Sequence, residues 1–262
     1  MSLNYVVQDL MSSLHQWRFW STLAWNDILK QYRRSFLGPI WIALNTAIFI
    51  VAFGLIGAQL FKIDVAIYLP LFAIGHVFFT FFSAVMQEGC STFIQAEGYL
   101  KHAASPKFIH IFRGVLRIYF VLGHNLVIIF LVLWWFDRLV LINLAPFLLA
   151  LLLFALQACV AMAAVATICA RFRDVPMMIT SLMQVLFFVT PVMWQPEQLT
   201  ERAQWLVRLN PFAIYLEVVR QPLLGKAVPF EIYASALGVL GISLISSIVI
   251  FSWGRKKIVY WL

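Results

Sequence analysis

The sequence predicts an all-α polytopic membrane protein with six transmembrane helices, an N-terminal amphipathic interface helix, and short extracytoplasmic re-entrant helices before the last span. Three observations carry that expectation. Of 262 residues, 63% are hydrophobic and 11% charged, and the mean hydropathy is +0.90, more apolar surface than a soluble domain of this length can hide. The apolar residues form continuous runs instead of alternating at period two, which argues against a barrel. The cations gather at the ends of those runs. With no internal repeat, low-complexity tract or flexible linker, 1–262 reads as a single transmembrane domain.

Taken in order, the first element is a cytoplasmic interface helix over 8–30. Leu10, Leu14, Trp17, Trp20, Ala24 and Ile28 recur at steps of three and four, while Ser13, Gln16, Asn26, Asp27 and Lys30 avoid that stripe, as in a helix lying in the headgroup layer. The basic stretch Lys30, Arg33, Arg34 then meets 26 residues without a charge, 36–61, where about 20 suffice to cross hydrocarbon. Further spans are expected over 66–87, 110–136, 146–170, 176–194 and 230–253. Between the second and third, 88–107 is too polar to remain in lipid and too short for a domain. A short helix over 92–102, bounded by Gly89 and Pro106, presents Glu97, Tyr99, Lys101 and His102 to the cytoplasm. The link 195–229 reads as a helical hairpin hinged at Asn210-Pro211, with Leu199, Ala203, Leu206 and Leu209 on one arm and Phe212, Leu216, Val219 and Leu223 on the other.

Six spans with both termini on one side place thirteen of the 19 Lys and Arg on that side and six on the other, so the positive-inside rule puts the termini in the cytoplasm. The formal charge of +8 lies wholly there, a matter of topology and anionic headgroups and not of nucleic acid. The first 14 residues lack the basic start and long apolar core of a secretory leader.

No catalytic or metal-binding constellation stands out. The chain has no Gly-rich phosphate loop followed by Lys-Ser/Thr, no paired-carboxylate motif, and no His/Cys cluster at ligand spacing. Cys90, Cys159 and Cys169 read as packing thiols, and His76 and His124 as hydrogen-bonded structural histidines. No Asp or Glu falls in mid-span, which counts against ion coupling. What the spans do carry is rings: 24 Phe, 10 Trp and 8 Tyr. Trp41, Ile42, Asn45, Phe49 and Phe53 share a face of the first span, and Phe72, His76, Phe79 and Ser83 one of the second; Phe187, Phe188 and Trp194 join Gln184 and Thr190 in the fifth. Rings alternating with amides and hydroxyls suit a sugar chain, so Asn45, Phe49, Phe53, Gln184, Phe187 and Phe188 are the expected channel lining.

Tyr32-Arg33-Arg34-Ser35, Leu37-Gly38-Pro39 with Trp41, then Arg171, Arg173, Asp174 and Val175 at a cytoplasmic turn, and Pro191, Asn210-Pro211, Arg220 and Gly225 later form a series of short motifs. In order and spacing they resemble the type-2 membrane subunits of ATP-binding-cassette exporters that carry polysaccharides such as O-antigen, capsule and teichoic acid. The chain departs from the pattern at Ser105-Pro106, where many relatives have Phe-Pro, and at Asn45-Thr46, where Asn-Pro is usual. The resemblance implies a homodimeric, non-enzymatic permease in a bacterial inner membrane, with two cytoplasmic ATPase subunits that bind ATP and Mg; the chain itself holds no cofactor. It implies a polyprenyl-pyrophosphate-linked polysaccharide as cargo, Arg33, Arg34, Arg171 and Arg173 as pyrophosphate or headgroup candidates, and the 92–102 helix as the coupling segment. The residues leave open a type-2 exporter of a drug or lipid, a secondary transporter, and a membrane enzyme acting on polyprenyl lipids, whose support is the Glu197/Glu201 pair.

Overall fold

The computed structural model describes residues 3–33, 38, 40–102, 105–198, 200 and 204–262. Among them the α-helices are α1 Leu3–His15, α2 Trp17–Tyr32, α3 Ile40–Phe61, α4 Val65–Gln95, α5 Glu97–His102, α6 Phe108–Trp135, α7 Leu144–Arg171, α8 Val175–Val189, α9 Gln204–Leu209, α10 Pro211–Leu223, α11 Phe230–Gly254 and α12 Ile258–Trp261. Five of these, α3, α4, α6, α7 and α11, are long and apolar enough to cross a membrane. The sixth apolar helix, α8, has 15 residues and at about 1.5 Å per residue is about 22 Å long, short of a hydrocarbon core of about 30 Å. The expected span 176–194 therefore ends as helix at Val189, where Thr190 turns extended and Pro191 follows.

α4 is the axis of the bundle: 72% of its apolar window is buried, against 17% for α3 and α11. α7, α6 and α3 pack around it, with α8 and α10. Ring contacts knit the seam to α7, Phe82 stacking on Phe154 at 4.7 Å and Phe78 meeting it edge-on at 5.2 Å. The expected span 66–87 is the apolar part of a longer helix of 31 residues. Loss of hydrophobicity after Gln87 takes the chain out of lipid but not out of the helix: Glu88 pairs with Arg117 of α6, and the Thr92 hydroxyl donates to the Glu88 carbonyl at 2.8 Å. The segment 92–102 is thus divided at Ala96 into the last turn of α4 and the separate α5.

The interface helix over 8–30 is likewise two helices, broken at Gln16. The Ser13 carbonyl accepts there from the Trp20 indole at 3.1 Å and from the Gln16 N–H at 3.2 Å, so a side chain substitutes for the lost ladder. The break turns the stripe. Trp20, Ala24 and Ile28 face inward on α2, whereas Leu14 and Trp17 are exposed. α2 lies against α6 through Trp20 on Phe112 and Trp25 on Phe120, each at 5.5 Å. Asp27 accepts both Arg113 Nε and Nη2, at 2.6 and 2.7 Å.

Contacts between helix ends define two ends of the bundle. α11 finishes beside the start of α6, with Phe251 and Phe108 4.8 Å apart, and Arg173 donates to the Trp261 carbonyl of α12 at 3.3 Å. α10 finishes at the other end, where the Asn143 N–H donates to the Pro222 carbonyl at 2.9 Å. The chain from Arg173 through α8 to Pro222 therefore travels the full length of the bundle although α8 alone does not. The gap is closed by a turn over 190–193 that is clamped from three sides. The Arg220 guanidinium, 3% exposed, donates to the Pro191 carbonyl at 2.6 Å and to Glu217 at 2.8 Å. Tyr68 of α4 donates to the Met193 carbonyl at 2.9 Å, and Asn210 donates to the Thr190 hydroxyl at 2.9 Å while its own carbonyl oxygen caps α10 at Phe212.

The clamp presses the turn onto α4 at Gly75, where a Cβ would come 2.7 Å from the Val192 carbonyl and 2.9 Å from Arg220 Nη2. Gly75→Ala should therefore destabilise the protein by about 1–3 kcal/mol, the usual cost of overpacking, and lower the thermal midpoint in detergent. Gly123→Ala on α6, with nothing within 4 Å of the added methyl, should leave the midpoint unchanged or raise it. Equal midpoints for the two variants would refute the clamp.

A second tie joins the opposite end. Asp9 of α1, 6% exposed, accepts the Lys107 N–H at 2.9 Å and lies 3.9 Å from Arg255 Nε. Burial raises the Asp9 carboxyl above its ordinary 3.8 and lowers the Lys107 ammonium. A carboxyl raised in the fold holds its proton more tightly there than in the unfolded chain. Its contribution to stability is full below 3.8 and is lost as pH rises through the raised value. Asp9→Asn keeps an acceptor for Lys107 and removes the titration, so as pH rises above 3.8 its thermal midpoint should fall less than that of wild type; parallel pH profiles would contradict this.

Candidate translocation groove

α3, α4 and α8 enclose an open groove of about 420 Å3. α4 supplies its floor through His76, Phe79, Thr80, Ser83 and Gln87, residues three and four apart and so on one helical face. Phe49 of α3 forms one wall, and Thr180, Gln184, Phe187 and Phe188 of α8 the other. The rings form a ladder. Phe53 stacks on Phe49 and Phe49 on the His76 imidazole, each pair at 4.4 Å, while Phe187 meets His76 edge-on at 6.2 Å and Phe79 at 5.3 Å.

The groove is graded along its length. Toward the end where α8 begins lie Thr180, Gln184, Ser83 and Gln87, with Gln87 donating to the Ser83 hydroxyl at 2.8 Å. Toward the clamp lie Phe49, His76, Phe79, Phe187 and Phe188. No groove-lining side chain carries a formal charge at neutral pH with His76 neutral. Such a surface can stack on flat apolar faces and exchange hydrogen bonds with hydroxyls, without holding any one group by an ion pair.

Of the residues expected to line a channel, Phe49, Gln184, Phe187 and Phe188 come together here. Asn45 and Phe53 do not line the groove: Asn45 is exposed on α3, and Phe53 reaches the ladder only through Phe49. Thr80, Gln87 and Thr180 were not singled out, although the face Phe72, His76, Phe79, Ser83 predicts Thr80 and Gln87 by one more helical step.

The basic candidates do not converge on one point. Arg171 lies over the Trp261 ring at 5.6 Å and Arg173 donates to the Trp261 carbonyl, so α12 gathers this pair. Arg33 ends α2 and shares no hydrogen bond, ion pair or ring contact with them, and Arg34 lies outside the described residues. Glu197 has no described side chain and Glu201 lies outside the described residues. On α5, Lys101 donates to Glu97 at 2.6 Å, an i,i+4 pair that holds the Glu97 carboxyl below its ordinary range. Leu100 is the buried anchor, Tyr99 and His102 are exposed, and the Tyr99 ring lies 5.9 Å from His110. Among the described residues no group of three or more His, Cys, Asp or Glu could hold a metal ion.

No curated protein matches the chain. A family model, the ABC-2 type transporter, matches residues 18–224. That stretch runs from α2 to the end of α10 and contains all three groove helices, α5 and the clamp. The chain belongs to the ABC-2 type transporter membrane family, whose members are the permease components of ATP-binding-cassette exporters and work with ATPase subunits.

Proposed function

We propose that this permease exports a polyprenyl-pyrophosphate-linked polysaccharide, as two copies of the chain in a bacterial inner membrane with an ATPase docked on each α5. The graded groove is the observation that carries the reading. A glycan leaving water must replace its hydration, and a ladder of rings followed by hydroxyls and amides does so with weak, repeated contacts that let the polymer slide. α8 supports the pairing of copies: only Ile179 and Met183 are buried on it, while Met177, Met178, Leu182, Val185 and Phe188 are exposed. An exporter of an apolar drug or lipid is the second reading, favoured by the purely aromatic half of the groove.

Both readings share a topology of six crossings with cytoplasmic termini, the sixth made by α8 and the clamped turn together. Lys226→Cys should label from outside intact cells and Lys256→Cys should not, in a background without the native cysteines. Lys226 serves better than its neighbour Gly225, whose φ of +77 and contact with the Leu141 carbonyl resist a side chain. Labelling of both or neither from outside would overturn the six-crossing topology.

The cargo is tested in vesicles holding the assembled permease and ATPase. Phe187→Ala removes a ring worth about 0.5–1.5 kcal/mol. It should slow glycan export about two- to tenfold while assembly and ATP hydrolysis persist. Wild-type glycan export by this variant, with loss of drug or lipid efflux instead, would replace the first reading by the second.

A further inference from the structure

The α11 span ends in three consecutive cations, Arg255, Lys256 and Lys257, that neither the groove nor the clamp uses. With Tyr5 of α1, and with Ser252 and Trp253 of the last turn of α11, they line a pocket of about 300 Å3. Among the described residues no acidic side chain lines it. Lys256 and Lys257 are exposed, and among the described residues neither lies within ion-pair distance of a carboxylate. Lys257 instead lies over the Trp253 ring at 5.6 Å, and Arg255 over the Tyr5 ring at 5.4 Å. The buried Arg255 Nε has no hydrogen-bond acceptor, the Asp9 carboxylate oxygen being 3.9 Å away.

The depth of the pocket follows from α11. Only 17% of the apolar window of this helix is buried, so most of it is free to meet lipid, and Gly254 is its last residue. The pocket therefore opens where hydrocarbon gives way to headgroups. Trp253, 44% exposed, occupies the position of an interfacial indole. Cations at the end of a helix also complement its negative C-terminal pole and fix topology. Those roles need neither a concave wall nor rings beneath the charges, and this site has both.

We propose that this pocket binds the headgroup of one anionic phospholipid, its phosphodiester among Arg255, Lys256 and Lys257 and its glycerol against Trp253 and Tyr5. Guanidinium and ammonium donors form strong charge-assisted hydrogen bonds to phosphate oxygens, and basic pockets at the cytoplasmic ends of spans select anionic headgroups. Because Tyr5 belongs to α1 and the cations follow α11, the bound lipid bridges the two helices and adds to the Asp9 tie in holding α1. Which leaflet supplies the lipid rests on the topology proposed above; binding itself does not.

The test is native mass spectrometry of the full-length protein in a neutral detergent, titrated with dioleoylphosphatidylglycerol or dioleoylphosphatidylcholine. The wild type should retain one phosphatidylglycerol per chain, about tenfold more tightly than phosphatidylcholine, whose choline offsets the phosphate charge. Lys256→Gln with Lys257→Gln should weaken phosphatidylglycerol binding about ten- to thirtyfold and leave phosphatidylcholine binding unchanged. Arg18→Gln with Lys30→Gln, which removes two exposed cations of α2 outside the pocket, should leave both unchanged. The thermal midpoint of the wild type should rise with phosphatidylglycerol and not with inorganic phosphate at the same concentration. Equal retention of the two lipids, or an equal loss in the two double variants, would overturn the site. An equal rise with inorganic phosphate would overturn the lipid as its occupant. The wild-type comparisons stand whether or not a variant folds.

Discussion

The constraint on which the rest of the structure depends is the need to satisfy backbone polar groups where α8 stops short. A helix that ends within hydrocarbon exposes carbonyls that lipid cannot bind, and irregular backbone at that depth survives only against protein or water. Here several of these carbonyls find protein donors. The Leu186 carbonyl takes the Thr190 N–H at 2.8 Å and the Phe188 carbonyl takes the Trp194 indole at 2.9 Å, while Pro191 and Met193 are served by Arg220 and Tyr68. Two of the donors, Tyr68 and Arg220, come from α4 and α10, so satisfying the turn also decides where α10 sits and how α8 is held against the groove floor. Arg220 is affordable at 3% exposure because Glu217 accompanies it and because its hydrogen bonds are made to groups that would otherwise go unpaired.

Among the described residues, α4 takes part in every one of these regions. Over its 31 residues, about 46 Å, it contributes Tyr68 and Gly75 to the clamp, the floor of the groove, Phe82 to the α7 seam and Glu88 to the ionic end, before passing into α5. On the proposed docking, a displacement imposed on α5 by an ATPase would meet, within one turn at Ala96, a single continuous rod. Rigid elements of that length transmit motion as body shifts, and the graded groove lies along the rod's middle. The arrangement is therefore linear: the clamp at one end, ion pairing at the other, and the groove between them.

Much of this was legible in the sequence. Continuous apolar runs gave the long helices because lipid exposure demands them, and Asn210-Pro211 gave the hinge because a side-chain cap followed by proline at the first helical position is a local signal. Less local features were hidden. Gln16 carries no breaker chemistry, and the break there is compensated by Trp20 four residues on, whose indole reaches back to the Ser13 carbonyl. Glu88 looked like the end of a span because its partner, Arg117, is 29 residues distant. On α3, periodicity placed Asn45, Phe49 and Phe53 on one face, but which part of a face meets a neighbour depends on the crossing of two helices; only Phe49 falls where α4 offers His76. Pro191 and Arg220 stood out as isolated residues, and their common purpose appears only when the 190–193 turn is seen between α4 and α10.

The ionic end raises the question of why a membrane protein should bury so many charged pairs. Asp27 with Arg113, Glu88 with Arg117, and Asp9 with Lys107 and Arg255 are all partly desolvated, and burying such pairs returns little net stability relative to apolar packing. Their geometry suggests a different use. Two of them join an amphipathic element to spanning helices, Asp27 fixing α2 on α6 and Asp9 fixing α1 on the start of α6 and the end of α11, while Glu88 with Arg117 sets the register of α4 on α6. Apolar contact alone would let α1 and α2 slide, since lipid is as good a neighbour for their exposed Tyr, Trp, Phe and Leu side chains as protein is. A bidentate Arg–carboxylate pair has one geometry. The charges thus specify a position that the hydrophobic surface cannot, and they do so around α5, the segment proposed to meet the ATPase.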